Sequence, residues 1–265
     1  MQTDFQALLL EREEGIVTIT MNRPEVLNAL NEVMVAELVE VFDEVAHDES
    51  VRCIVLTGAG GSFGAGQDLR SFTQARDASE STKASEHLQQ YHRLVYLIQE
   101  MPKPVLAAVR GVAAGISANL AFACDMRIAS DDARFIEAFS RIGLVPDGGG
   151  GYFLPRLVGL GRALEMALLA DEVNGVEAER IGLVNRCVPL ASFEATTRAL
   201  ARRLAQGPTR SYAFIKELMY KSLDLELQSV LTLEGKLQAM AMQTADHREG
   251  VNAFLQKRAP HFEGN

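Results

Sequence analysis

The chain has 265 residues, 48% hydrophobic and 23% charged, which suits a globular protein with a sizeable core and argues against disorder. A net charge of −9 and a pI near 5.2 disfavour nucleic acid and anionic membrane surfaces as partners. Cys53, Cys124 and Cys187 are too scattered for a disulfide framework or a metal cluster. The apolar runs are too short to span a bilayer, and acidic residues interrupt the first of them, so a cytoplasmic protein is expected.

In chain order, residues 7–11 and 16–21 read as strands joined across Glu14-Gly15. Asn22-Arg23-Pro24 ends the second, and Val35, Leu38, Phe42 and Val45 then recur at helical spacing. A short apolar strand, 53–56, empties into a glycine-rich loop, 58–69. A polar stretch, 74–83, reads as a mobile surface loop ahead of a helix carrying Leu88, Tyr91, Val95 and Ile98. The pattern of strand then glycine loop recurs at 104–109 and 111–116, followed by a helix to Cys124 and a strand over 126–129. Beyond Leu190 strand signals vanish, and 192–205, 209–223, 225–244 and 248–256 read as helices. The expected organisation is an α/β core over 1–190 and a helical section over 191–265.

Nucleotide fingerprints fail in both glycine loops: the third glycine of G-x-G-x-x-G is Phe63 in the first, and no loop ends in Gly-Lys-Ser/Thr. Neither Ser62 nor Ser117 sits in G-x-S-x-G. His47, His87, His92, His247 and His261 all lie in polar stretches and read as surface residues, and no metal-ligand spacing is present. Each loop does deliver backbone N–H groups to the start of a helix, where developing negative charge is favoured. Two such points can form an oxyanion hole for a thioester enolate; taken singly, each loop is equally a tight turn made for packing.

Ser62-Phe63-Gly64-Ala65-Gly66-Gln67-Asp68-Leu69 resembles the S-F-x-A-G-x-D-L motif of the crotonase (enoyl-CoA hydratase/isomerase) superfamily. Pro104 to Gly115 is similar to its second loop, Asn22-Arg23-Pro24 with Leu27-Asn28-Ala29 to its entry motif, and Ile142-Gly143-Leu144-Val145-Pro146 and Glu177 to Val184 to two further blocks. The resemblance implies a spiral of ββα turns with a C-terminal helical trimerisation region, assembled as a homotrimer or a dimer of trimers. It implies an acyl-CoA thioester substrate, with coenzyme A part of that substrate and no separate cofactor or metal. By position, the oxyanion donors are the N–H groups of Gln67 and Ile116, the latter replacing the family's usual glycine. Leu27, Ala29, Ala65, Asp68 and Leu69 fall where the family holds the adenine end of coenzyme A, with Gly66 and Gly115 beside the two donors. Lys216 is a candidate phosphate partner, set against its plainer reading as a solvated helix lysine.

The resemblance also bears on the reaction. A hydratase of this superfamily uses two glutamates, and Asn119 and Phe139 stand at their positions, so proton exchange by carboxylates is lost there. Glu137 is nearby but reads as a weak substitute. Asp147, directly after Pro146, is either an N-cap for the following helix or, as in the superfamily's isomerases, a catalytic carboxylate facing the acyl group. One carboxylate opposite two donors suits a proton shuttle that moves a double bond. The pattern is most similar to the ring-epoxide isomerases of bacterial phenylacetate degradation, which act on 1,2-epoxyphenylacetyl-CoA. Enoyl-CoA hydratase and a non-catalytic acyl-CoA or RNA-binding paralogue are the alternatives.

Overall fold

The computed structural model describes residues 5–70 and 80–265, and side chains from residue 88 onward in the second segment. Alternating burial drives the first hairpin: β1 (Leu8–Glu13) and β2 (Ile16–Met21) pair antiparallel, with Glu14 and Gly15 both at positive φ in the turn. Helix α1 (Glu32–His47) starts where the Asn31 side chain caps the Met34 N–H at 2.9 Å, and it buries the predicted stripe of Val35, Leu38, Phe42 and Val45. Strands β3 (Cys53–Gly58), β4 (Val105–Val109), β6 (Met126–Ser130) and β9 (Arg186–Val188) join β2 in parallel, in the order β1-β2-β3-β4-β6-β9. Their near-continuous apolar sequence fits strands covered on both faces.

A second sheet is made of β5 (Val112–Ala114), β7 (Arg134–Ile136) and β8 (Val173–Asn174). Residues 111–116, expected as a loop, therefore include a strand. The chain leaves the first sheet at β4, turns at Gly111 (φ +56), enters the second at β5 and returns through α3 (Gly115–Ala123) to β6. This strand-strand-helix step is the ββα turn of the crotonase spiral. The stretch expected as a mobile loop lies outside the described residues over 74–79, whereas 80–83 belong to α2 (Glu80–Glu100).

The main core fills the space between the first sheet and α1, α2 and α3. The other face is covered by α7 (Leu190–Ala205) through Phe193, Leu200, Ala201 and Ala205, which pack on Ile16, Cys53, Val55, Leu106 and Ile128. The first helix of the section after residue 190 is thus packed on the sheet. Between β7 and α7 lie α4 (Gly150–Val158), α5 (Leu160–Leu169) and α6 (Gly175–Arg180).

The chain continues through α8 (Thr209–Ser222), α9 (Leu227–Ala241) and α10 (Ala245–Leu255). Lys216 of α8 is not presented to a phosphate: its ammonium, on a side chain only 8% exposed, pairs with Asp125 at 2.9 Å and donates to the Ile98 carbonyl at 2.7 Å. The Tyr220 hydroxyl donates to the same carboxylate at 3.0 Å, and the Val105 N–H donates to it at 2.7 Å. This buried pair ties α8 to the spiral. Lys216→Met leaves Asp125 buried without its cation and is expected to cost ~3–5 kcal/mol, with Asp125→Asn in the same chain recovering part of the loss. Urea denaturation of wild type and the two variants checks this.

Candidate active site

The first two motif blocks are stapled by Asn28 and Arg23. Asn28 is wholly buried; its side chain accepts from the Arg23 N–H at 2.9 Å and donates to the carbonyls of Ala59 and Ser62 at 2.9 and 2.7 Å. The Arg23 guanidinium donates to the Ala29 carbonyl at 2.6 Å and pairs with Asp68 at 3.0 Å. The Ala65 N–H donates to the Leu27 carbonyl at 2.9 Å. Leu27, Ala29, Ala65 and Asp68 are thereby gathered on one ledge, with Leu27 and Leu69 exposed. The Asp68 carboxylate is occupied by Arg23. Leu27 and Asn28 both sit at positive φ, a costly conformation that is held by the surrounding hydrogen bonds.

The second staple is between the two glycine loops. Gly64 exchanges backbone hydrogen bonds with Val112 and Ala114, both at 2.9 Å, and the Gly66 N–H donates to Ser117 Oγ at 3.1 Å. A β-carbon on Gly66 would stand 3.1 Å from the Ala114 carbonyl oxygen, so only glycine permits this approach without a shift. Leu30 bridges Gln67 by receiving the Asp68 N–H and donating to the Gly66 carbonyl. Successive amides of an extended segment alternate in direction, so the Gln67 N–H is turned away from Leu30. Ile116 is the second residue of α3, where an N–H has no intrahelical acceptor; no acceptor for it is found among the described residues.

Ile116 is bulky where the family usually has glycine, and the structure shows what accommodates it. Its Cδ1 occupies the space a β-carbon on Gly148 would need, and Gly148 has φ +53. Gly150 likewise makes room for the Asn119 side chain, whose Nδ2 would stand 2.5 Å from a β-carbon there. The Phe139 ring closes over Gly115. The glycine run thus lies against α3 and carries Asp147 to it.

Asp147 does not cap a helix. Helix α4 begins at Gly150 with Gly149 as its cap residue and no side-chain cap bond. The Asp147 carbonyl accepts from the Gly150 N–H at 2.9 Å and from Asn119 Nδ2 at 2.8 Å, while its carboxylate Oδ1 is buried and finds no hydrogen-bond partner among the described residues. Burial pushes this carboxyl up to about 6, against a lowering by the nearby His92 charge. Glu137, between β7 and Phe139, is 0% exposed. Burial first and the Asp147 charge second push it up to about 8, with Asn119 partly offsetting them. Tyr91, buried in α2, is raised by burial and then by the charges of Asp147 and Glu32.

The site therefore holds two carboxyls of raised pKa, the wholly buried Glu137 and the half-buried Asp147, where the sequence pointed to one. The signal for Glu137 was a lone acid inside the apolar run Phe135-Ile136-Glu137-Ala138-Phe139. His92 is exposed, as read from the sequence, yet its charge reaches Asp147. His47, His247 and His261 are exposed too, and the side chain of His87 lies outside the described residues.

The sequence model described as enoyl-CoA hydratase/isomerase matches residues 11–265. The chain belongs to the enoyl-CoA hydratase/isomerase family. A Rhodobacter capsulatus relative named "Probable enoyl-CoA hydratase" is 45% identical over 98% of this chain and 99% of its own. The 1,2-epoxyphenylacetyl-CoA isomerase of Escherichia coli is 41% identical over 98% and 99%. The crystal structure of an enoyl-CoA hydratase from Mycobacterium smegmatis superposes with a TM-score of 0.90 at 34% identity, covering 97% of this chain and 98% of that one. The protein is thus an enzyme of a family that spans both reactions.

Within the family, the pairing of Ile116 with Gly148 is open to a direct test. Gly148→Ala is expected to destabilise the fold by ~1–3 kcal/mol through overpacking and a strained φ. Ile116→Ala in the same chain removes the overlap and should recover part of that loss in chemical denaturation.

Proposed function

We propose that this enzyme is an acyl-CoA isomerase in which Asp147 shuttles a proton between two carbons of the acyl group. The observation that carries the reading is the Asp147 carboxylate itself: half-buried, with its Oδ1 buried and without a hydrogen-bond partner among the described residues, and raised to about 6 beside the Ile116 end of α3. Such a group is ionised at neutral pH yet basic enough to accept a proton. The hydratase positions, Asn119 and Phe139, are committed to holding the Asp147 carbonyl and to covering Gly115.

In this mechanism the thioester carbonyl oxygen lies between the N–H groups of Gln67 and Ile116. The Asp147 carboxylate takes a proton from carbon, the bonding pair moves onto the thioester oxygen as an enolate, and the two donors hold that charge. The protonated Asp147 returns the proton to a different carbon, so the double bond migrates and nothing is consumed. Leu27, Ala29, Ala65, Gly66, Asp68 and Leu69 hold the coenzyme A portion, and Gly115, Asn119 and Phe139 border the acyl group. Similarity to the Escherichia coli ring-epoxide isomerase supports an aromatic-derived acyl-CoA such as 1,2-epoxyphenylacetyl-CoA as the substrate. Exposed apolar residues of α8 to α10, among them Met219, Leu227 and Phe254, support homotrimeric assembly or a dimer of trimers.

One observation favours a second reading. Glu137 adds a second carboxyl beside Asp147, and water addition to an enoyl-CoA needs two proton-handling groups. Incubation of wild type and Asp147→Asn with 2- and 3-enoyl-CoA thioesters in D2O, followed by product mass, separates the two. The expected outcome is double-bond migration with deuterium uptake, reduced ~10²–10⁴-fold in the variant. The wild-type rate should rise as pH increases through about 6, because only ionised Asp147 can accept a proton. Water addition that survives in the variant would refute the isomerase reading.

A further inference from the structure

Asn119 Oδ1, Asp147 Oδ1 and both carboxyl oxygens of Glu137 are buried, and among the described residues none of them has a partner of good hydrogen-bond geometry, although the Asn119 amide lies close enough to Glu137 to lower its proton affinity. Asn119 is itself wholly buried, and its Nδ2 donates to the Asp147 carbonyl at 2.8 Å. The amide therefore links the two acids: it acts directly on Glu137 and holds the backbone of Asp147. Buried acceptors without a well-placed donor are costly, since each buried polar atom left without a partner loses its hydration uncompensated. Two charges here would also repel each other.

We propose that Glu137 is a carboxylic acid in the resting enzyme, and that its proton, donated to Asn119 Oδ1, fixes the amide that positions the base Asp147. Glu137 is then a positioning residue. The pair carries one negative charge, on Asp147, and one proton, on Glu137, so protonating Glu137 supplies the missing donor without neutralising the base. The inference rests on Asp147 being the base, but the state of Glu137 can be measured without any reaction.

The groups that face this pair agree with the assignment. Helix α2 brings Tyr91, whose own ionisation is opposed by burial, and His92, whose charge favours the ionised form of Asp147. Helix α1 adds Glu32 beyond Tyr91, and α3 adds only the uncharged Asn119. Beside β7, α6 pairs its Glu177 and Arg180 with each other at the surface. Two carboxyls in one pocket with separated proton affinities are the arrangement expected when one stays neutral and the other works as the base.

The test uses carbon NMR of the full-length protein labelled at glutamate carboxyls, with Glu137→Gln assigning the resonance. The expected result is a carboxyl that titrates near pH 8, is absent in Glu137→Gln, and moves to lower pH in Asp147→Asn because the neighbouring charge is gone. A Glu137 resonance titrating in the ordinary carboxylate range would overturn the proposal whatever reaction the enzyme performs. Kinetics give a second readout on whichever enoyl-CoA conversion is observed. Glu137→Leu, which has no donor, is expected to lower kcat at least tenfold with KM little changed. Glu137→Gln, whose amide can still donate, is expected to recover most of kcat and to abolish the fall in rate above pH 8. Equal kcat and equal pH profiles in wild type and Glu137→Leu would sink the positioning role.

Discussion

The close approach of two loop backbones is the constraint on which the rest of the site depends. Gly64 trades hydrogen bonds with Val112 and Ala114, and Gly66 presses on the Ala114 carbonyl with no side chain between them. That contact lays residues 112–114, paired on their other side with β7, against the first loop, and it sets where α3 begins. It also sets the ledge on the other side, because Leu30 and Leu27 bond to Gly66 and Ala65. A methyl group at Gly66 would stand too close to the Ala114 carbonyl oxygen for the loops to close without a shift. The ledge around Leu27 and the two glycine loops are therefore one mechanical unit, held by backbone hydrogen bonds and by the Asn28, Arg23 and Ser117 side chains.

Electrostatics govern the opposite wall. Asp147 and Glu137 both have raised pKa, chiefly through burial, and Glu137 also feels the charge of Asp147. The glycine run that delivers Asp147 is shaped by its neighbours: Ile116 fills the space beside Gly148, and Asn119 fills that beside Gly150. The replacement of the family's glycine by Ile116 is thus absorbed next to the acid whose setting it alters. Burial of Ile116 and Phe139 keeps the surroundings apolar, which is what raises the carboxyls.

Away from the site, α8 is secured by the buried pair of Lys216 with Asp125, and the C-terminal tail is secured by Arg52, which donates to the carbonyls of Gly207 and Phe262. Both tethers use a basic side chain to satisfy backbone carbonyls, and Lys216 also meets the charge of Asp125. They fix the helical section to the spiral, while the apolar side chains of α8 to α10 stay uncovered.

By itself the sequence determined the longer strands β1 to β4 and β6, most of the helices and the identity of the motif blocks, because alternation, helical period and glycine placement are local properties of the chain; the short strands β5, β7, β8 and β9 carry too few residues for such a signal. Asp147 was legible for the same reason, as an acid in a recognisable block. Only the tertiary structure decided which lone charges are buried and what they meet. Lys216 looked like any surface lysine until Asp125, 91 residues away, closed on it. Glu137 looked like a poor substitute acid until the fold buried it completely and set it beside the charge of Asp147. Proton affinity depends on desolvation and on charges brought close through space, and neither is written in residue spacing.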